Sequence, residues 1–181
     1  MLPSSFMLIP VLLPIIAGFF WFPVGLRLHA NTRAREAALM AITVTTSLAA
    51  WAVILFGSPE PLMLFRFTDA LPFVLRIDGL GKLFTGLVAT LWPITMLYAF
   101  EYMRYEHRQR TFFAFFLMAY GVTLGIAMAG NLVTMYCWYE MLTLSTVYLV
   151  LHPMTKQAVR AARAYLIYSI GGAAFGFIGM I

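Results

Sequence analysis

The chain has 181 residues, 62% of them apolar and only 10% charged, with a net charge of +5 and a mean hydropathy of +0.87. A water-soluble fold of this length cannot hide so much hydrocarbon. The composition therefore describes an integral membrane protein, leaves a nucleic-acid-binding patch no surface to occupy, and with Cys137 as sole cysteine excludes a disulfide scaffold.

Residues 1–26 carry no charge and lack the basic start of a secretory signal. They predict a first helix over about 4–24, with local kinks at Pro10 and Pro14. Arg27, Arg33 and Arg35 follow, and a second apolar run predicts a helix over 37–56. Residues 62–67 and 73–77 are β-prone and are separated by a turn at 68–72. A short external β-hairpin is expected there. Helix three is predicted over 81–100, with a kink at Pro93, and Lys82 at its edge is expected to snorkel to the interface. Residues 111–155 are interrupted only by Glu140 and are twice too long for one span of about 20 residues. Ala129-Gly130-Asn131 supplies a break, giving helices over 111–129 and 132–151. A sixth helix is predicted over 162–181, where Gly172 and Gly176 form a GxxxG contact face. The expected fold is all-α: one membrane domain, 1–181, of about six transmembrane helices with a hairpin between the second and third.

Nine basic residues fall in the odd connections: Arg27, Arg33, Arg35, Arg104, Arg108, Arg110, Lys156, Arg160 and Arg163. The even connections hold only Arg66, Arg76 and Lys82. Positive charge marks the cytoplasmic side, so the N-terminus is expected outside. His29, His107 and His152 then fall on the cytoplasmic side and could relay protons near neutral pH, although lone interfacial histidines are commonly incidental. No histidine pair is placed to ligate haem, one cysteine cannot hold an iron–sulfur cluster, and no cofactor or metal is expected.

Glu140 is the only ionisable group deep inside a predicted span. A carboxylate at that depth costs at least ~2.5–3.5 kcal/mol, so such groups face a bundle interior and a partner, and commonly mark a proton or ion path. Burial favours the neutral form of a carboxyl and a nearby cation favours the anion, so a partner that moves could load and unload a proton. Tyr136 and Thr143, at i−4 and i+3, share the face of Glu140 and could hold a water chain to it. The plainer alternative is a protonated glutamate that only glues helices together. Sodium as cargo would have a thin coordination shell.

Three segments carry a resemblance to a known family. Arg76-Ile77-Asp78-Gly79-Leu80 resembles the entry to the third helix of the antiporter-like subunits of respiratory complex I. Those subunits are related to Mrp-type cation/proton antiporters and to membrane subunits of energy-converting hydrogenases. Glu101-Tyr102-Met103 with Arg110 to Phe113 resembles the family's third-to-fourth helix link, and Asn131-Leu132 through Trp138 to Leu144 its fifth helix. The resemblance implies that Glu140 is a proton-path residue paired with a lysine of a seventh helix. The sequence ends with helix six, so that lysine is expected from another polypeptide of a split subunit, unless the chain is a truncated product. The implied role is the N-terminal, non-redox portion of a proton-translocating subunit in a prokaryotic inner membrane. Its assembly would be complex-I-like, hydrogenase-like or an Mrp-type antiporter. The remaining alternatives are a small independent organic-cation transporter and a purely structural assembly subunit.

Overall fold

The computed structural model describes residues 2–27, 32–68 and 71–179, the side chains of residues 24–27 excepted. His29 and two residues of the expected turn, Asp69 and Ala70, lie outside that set. Six long helices and one hairpin follow in order: α1 (Leu8–Arg27), α2 (Thr32–Phe56), β1 (Leu62–Thr68), β2 (Leu71–Leu75), α3 (Gly79–Tyr102), α4 (Gln109–Ala127), α5 (Leu132–Leu151) and α6 (Lys156–Ile178). Short 3₁₀ turns precede α1 (Ser4–Met7) and follow α3 (Met103–Tyr105). Five of the helices are long and apolar enough to cross a membrane. The exception is α5, the helix that carries Glu140 among tyrosines and threonines.

Two helices begin earlier than expected, α2 at Thr32 rather than 37 and α6 at Lys156 rather than 162. The apolar run measures the hydrocarbon, whereas the helix continues as long as its residues favour it. Arginine, glutamate and lysine are good helix formers, so Arg33, Arg35, Glu36, Lys156, Arg160 and Arg163 sit on helix ends and not in loops. Thr155 caps α6 by accepting from the Ala158 amide at 3.0 Å. Pro10 lies in the first turn of α1, where no intrahelical bond is lost, while Pro14 and Pro93 lie inside helices.

The connections gather at two opposite ends. At one end the Leu2 amide donates to the Phe56 carbonyl at 2.7 Å, and Ser58 donates back to Leu2. Strand β2 continues into this end: Gly130 donates to the Val74 carbonyl and Arg76 to Met128, both at 2.8 Å. The N-terminus, the hairpin and the α4–α5 turn therefore share one end. At the other end Arg35 donates to Gln109 Oε1 at 2.6 Å, and His152 meets the Phe112 ring edge-on at 5.6 Å. The start of α2 and the α3–α4 and α5–α6 connections meet there, and with them most of the basic residues.

The core centres on α4, which packs against α1, α5 and α3. Its contact with α1 depends on small residues. A methyl group on Gly18 would stand 2.6 Å from the Ala114 carbonyl oxygen, and one on Gly121 would collide with the Val11 carbonyl. Close backbone approach of this kind is how membrane helices gain packing energy, because lipid offers no hydrophobic drive between helices. The expected GxxxG face of α6 is not used in this way: a methyl group on Gly172 or Gly176 would meet nothing within 4 Å. Above the α1–α4 contact, Trp92 stacks on Tyr120 at 4.9 Å, and the buried Tyr120 hydroxyl shares a 2.7 Å hydrogen bond with Ser47.

Candidate functional site: a carboxyl on the fifth helix

The fifth helix is anchored at its start by two reciprocal locks. Asn131 caps it, its side chain accepting from the Thr134 amide at 2.7 Å while its Nδ2 donates to the Pro72 carbonyl at 2.7 Å. Thr134 Oγ1 in turn accepts from the Val74 amide at 2.9 Å. The hairpin and the helix cap therefore satisfy each other's polar groups. Phe73 of β2 stacks on Phe65 at 4.9 Å and packs on Trp138 at 5.8 Å, so the first two turns of α5 are held on an aromatic platform. Asp78 caps the neighbouring α3 at the same end, accepting from Gly81 at 2.7 Å.

Beyond that platform stands Glu140, near the middle of the helix. It is half-buried, and its Oε1 is screened from solvent with no hydrogen-bond partner. Among the described residues the one ion pair is Arg104–Glu101, an exposed pair at the basic end, so none of them supplies a cation to Glu140. A shielded carboxyl oxygen without a donor costs free energy unless it binds a proton or receives a donor from elsewhere. Chemically it is a proton acceptor without a cationic partner among the described residues.

The two expected companions differ in their engagement. Tyr136, one turn earlier, lies within hydrogen-bonding and electrostatic reach of the Glu140 carboxyl and packs on Phe177 of α6 at 5.2 Å. Thr143 is buried and turned to α6: its hydroxyl donates to the Tyr139 carbonyl at 3.2 Å and lies 2.9 Å from Ser169 Oγ. Residues not singled out from the sequence complete a polar seam. Ser169 lies 3.3 Å from the Tyr139 hydroxyl, and Thr146 Oγ1 lies 2.7 Å from the Tyr165 hydroxyl. Their signal is present in the sequence, since Tyr139, Thr143 and Thr146 fall at i, i+4 and i+7, and Tyr165 and Ser169 at i and i+4. Alongside runs a groove of about 430 Å³ lined by Tyr136, Tyr139, Ala173 and Gly176, among others.

The other candidates lie away from this region. Lys82 is exposed near the start of α3, and Arg160 and Arg163 are exposed on the first turns of α6. His152, just past α5, has its imidazole pKa lowered by burial, an effect opposed by the Glu106 charge. No group of three or more potential metal ligands occurs among the described residues.

Comparison with known proteins gives three likenesses. A probable K(+)/H(+) antiporter subunit of type A/B, from Rhizobium meliloti (strain 1021), is 31% identical over 185 residues, covering 98% of this chain and 18% of that protein. An Na(+)/H(+) antiporter subunit of type A1, from Staphylococcus aureus (strain bovine RF122 / ET3-1), is 28% identical over 101 residues, covering 55% of this chain and 13% of that protein. The chain thus spans less than a fifth of these relatives. In fold it is similar to a chain of the membrane-bound sulfane sulfur reductase (MBS), an archaeal respiratory membrane complex. That match has a TM-score of 0.75 and 21% identity, covering 96% of this chain and 36% of the other. No protein-family model matches.

Proposed function

From the premise that this chain is a multi-pass membrane protein of the antiporter-like subunit family, we propose that it forms the N-terminal, six-span portion of a proton-translocating subunit with Glu140 as its intramembrane proton carrier. The sixth span in this reading is α5, whose lower hydropathy follows from the polar residues that do the work. The basic end faces the cytoplasm of a prokaryotic inner membrane, and the hairpin and N-terminus face outward.

One observation carries the reading: the shielded, unpartnered Glu140 oxygen on a helix whose neighbour α6 is otherwise open. A basic side chain from another helix of the assembly, approaching along the α5–α6 side, would stabilise the carboxylate and release its proton, and its withdrawal would favour reprotonation. Tyr136 supports Glu140 by polarising its surroundings. Thr143 acts indirectly, fixing α6 against α5 through Ser169. The partner with the cationic helix is therefore part of the machinery, and the chain itself binds no redox cofactor.

Glu140→Gln in the complete assembly tests this. The amide keeps the shape and removes the titration, so proton transport falls to background while the assembly still forms. Unchanged transport would leave the chain only a scaffolding role. The two named sequence relatives favour a second reading, exchange of a monovalent cation for protons with no redox step. In inverted membrane vesicles, proton movement driven by a K⁺ or Na⁺ gradient without electron donors would select it. A strict need for electron transfer would select the respiratory or hydrogenase-like assembly.

A further inference from the structure

At the basic end, where α2, α3 and α4 meet, lies a cavity of about 240 Å³ lined by Thr32, Arg35, Glu36, Phe100, Arg104, Gln109 and Phe113. Arg35 is held in place by Gln109, whose side chain is itself fixed by donating to the Met103 and Arg104 carbonyls at 2.6 and 3.1 Å. The Nε of Arg35 is screened from solvent and has no acceptor. A guanidinium does not deprotonate inside a protein, so this donor stays charged and calls for an oxygen. Arg104 sits opposite on the 3₁₀ turn, and its pairing with Glu101 is exposed on both sides and therefore weak.

We propose that this cavity binds the phosphodiester headgroup of an anionic phospholipid from the leaflet at the basic end. Three features favour that ligand. Two guanidinium groups face one carboxylate, Glu36, so the lining suits a singly charged phosphodiester better than a doubly charged phosphate monoester. Arginine forks match phosphate oxygens geometrically, and basic pockets between spans on this side are the expected place for anionic headgroups. Phe100 and Phe113 add an apolar wall to the cavity, against which the first acyl methylenes of a lipid can pack. The site is separate from Glu140 and stands whether or not that residue carries protons.

The assembly containing this chain is purified in mild detergent, stripped of lipid and titrated with phosphatidylglycerol, phosphatidylcholine and inorganic phosphate, with occupancy read by native mass spectrometry. Phosphatidylglycerol is expected to bind in preference to phosphatidylcholine. Arg35→Gln and Arg104→Gln should each weaken it about five- to tenfold, the effect of one basic residue near an anionic headgroup. Arg33→Gln, exposed on the same helix but outside the cavity, should leave it unchanged. Arg104 lies on an exposed turn, so its variant reports even if Arg35→Gln fails to assemble. Equal binding of the two lipids, no loss in the lining variants, or an equal loss in Arg33→Gln overturns the proposal. Full displacement by millimolar inorganic phosphate also overturns it, in favour of a free-anion site.

Discussion

Helices α4 and α6 have similar lengths and both read as apolar spans, yet they occupy opposite situations. Half of α4's most apolar stretch is buried inside the chain, against 6% for α6. Helix α4 meets glycine and aromatic surfaces on several sides, whereas α6 presents Ile167, Tyr168, Phe175 and Ile178 outward and touches the rest through the hydroxyl seam, Phe177 and a few buried alanines. Hydrophobicity alone does not distinguish them, because lipid and protein interior are equally apolar solvents. The difference lies in how many faces are covered: α4 has close backbone contact built into it, and α6 has its hydroxyl and small-residue contacts on one face only. The α1–α4 pair behaves as a finished core, and the α5–α6 pair as an open edge.

Substitutions on the two helices should break that contrast if it is wrong. Gly121→Val forces α1 off the Val11 carbonyl and should cost about 1–3 kcal/mol, read as a lowered thermal midpoint of the purified protein. Gly172→Val, facing open space, should stay within about 0.5 kcal/mol, and equal shifts for the two would refute the distinction. Asn131→Ala removes the α5 cap and the bond to Pro72, and is expected to cost about 1–2 kcal/mol. Faster amide exchange at Val74 and Thr134 would accompany it, and unchanged exchange would show that the hairpin is held by its aromatics alone. Tyr120→Phe removes one of two hydrogen bonds from the buried Ser47 hydroxyl, which still donates to the Thr43 carbonyl, at a cost of about 1 kcal/mol. Ser47→Ala should cost less in that background than in the unaltered protein, and a purely additive double variant would deny the hydrogen bond its role. The smallest effect is expected for Phe175→Ala, which should leave the isolated chain's midpoint nearly unmoved. Its retention in the larger assembly should fall, whereas unimpaired retention would mean that α6 meets lipid there.

Local chemistry explains what can be read from the sequence. The limits of α5, 132–151, are visible because Asn131 is a cap residue following a glycine, and both signals act within a few residues. Glu140 stands out because a lone charge in an apolar run has few explanations. The hairpin is legible from its β-prone residues, but its attachment to the α4–α5 turn is not, since nothing in residues 71–76 names Gly130 or Met128 as partners. The early starts of α2 and α6 escape a hydropathy reading, because charged helix formers extend a helix past the edge of the hydrocarbon. The small-residue signal misleads most. Gly172 and Gly176 advertise a spacing but meet nothing, while Gly18 and Gly121 are single glycines on different helices whose importance emerges only when α1 and α4 are brought together.

The lock between β2 and the α5 cap has a mechanical side. Because Pro72 and Val74 bond directly to Asn131 and Thr134, the strand cannot shift without dragging the first turn of α5. A helix transmits axial displacement and rotation nearly as a rigid rod, and Glu140 lies nine residues, about 13 Å, down its axis from Asn131. A tether or antibody fragment pulling on the hairpin would therefore shift the carboxyl, giving a handle on a half-buried group from the end of the molecule.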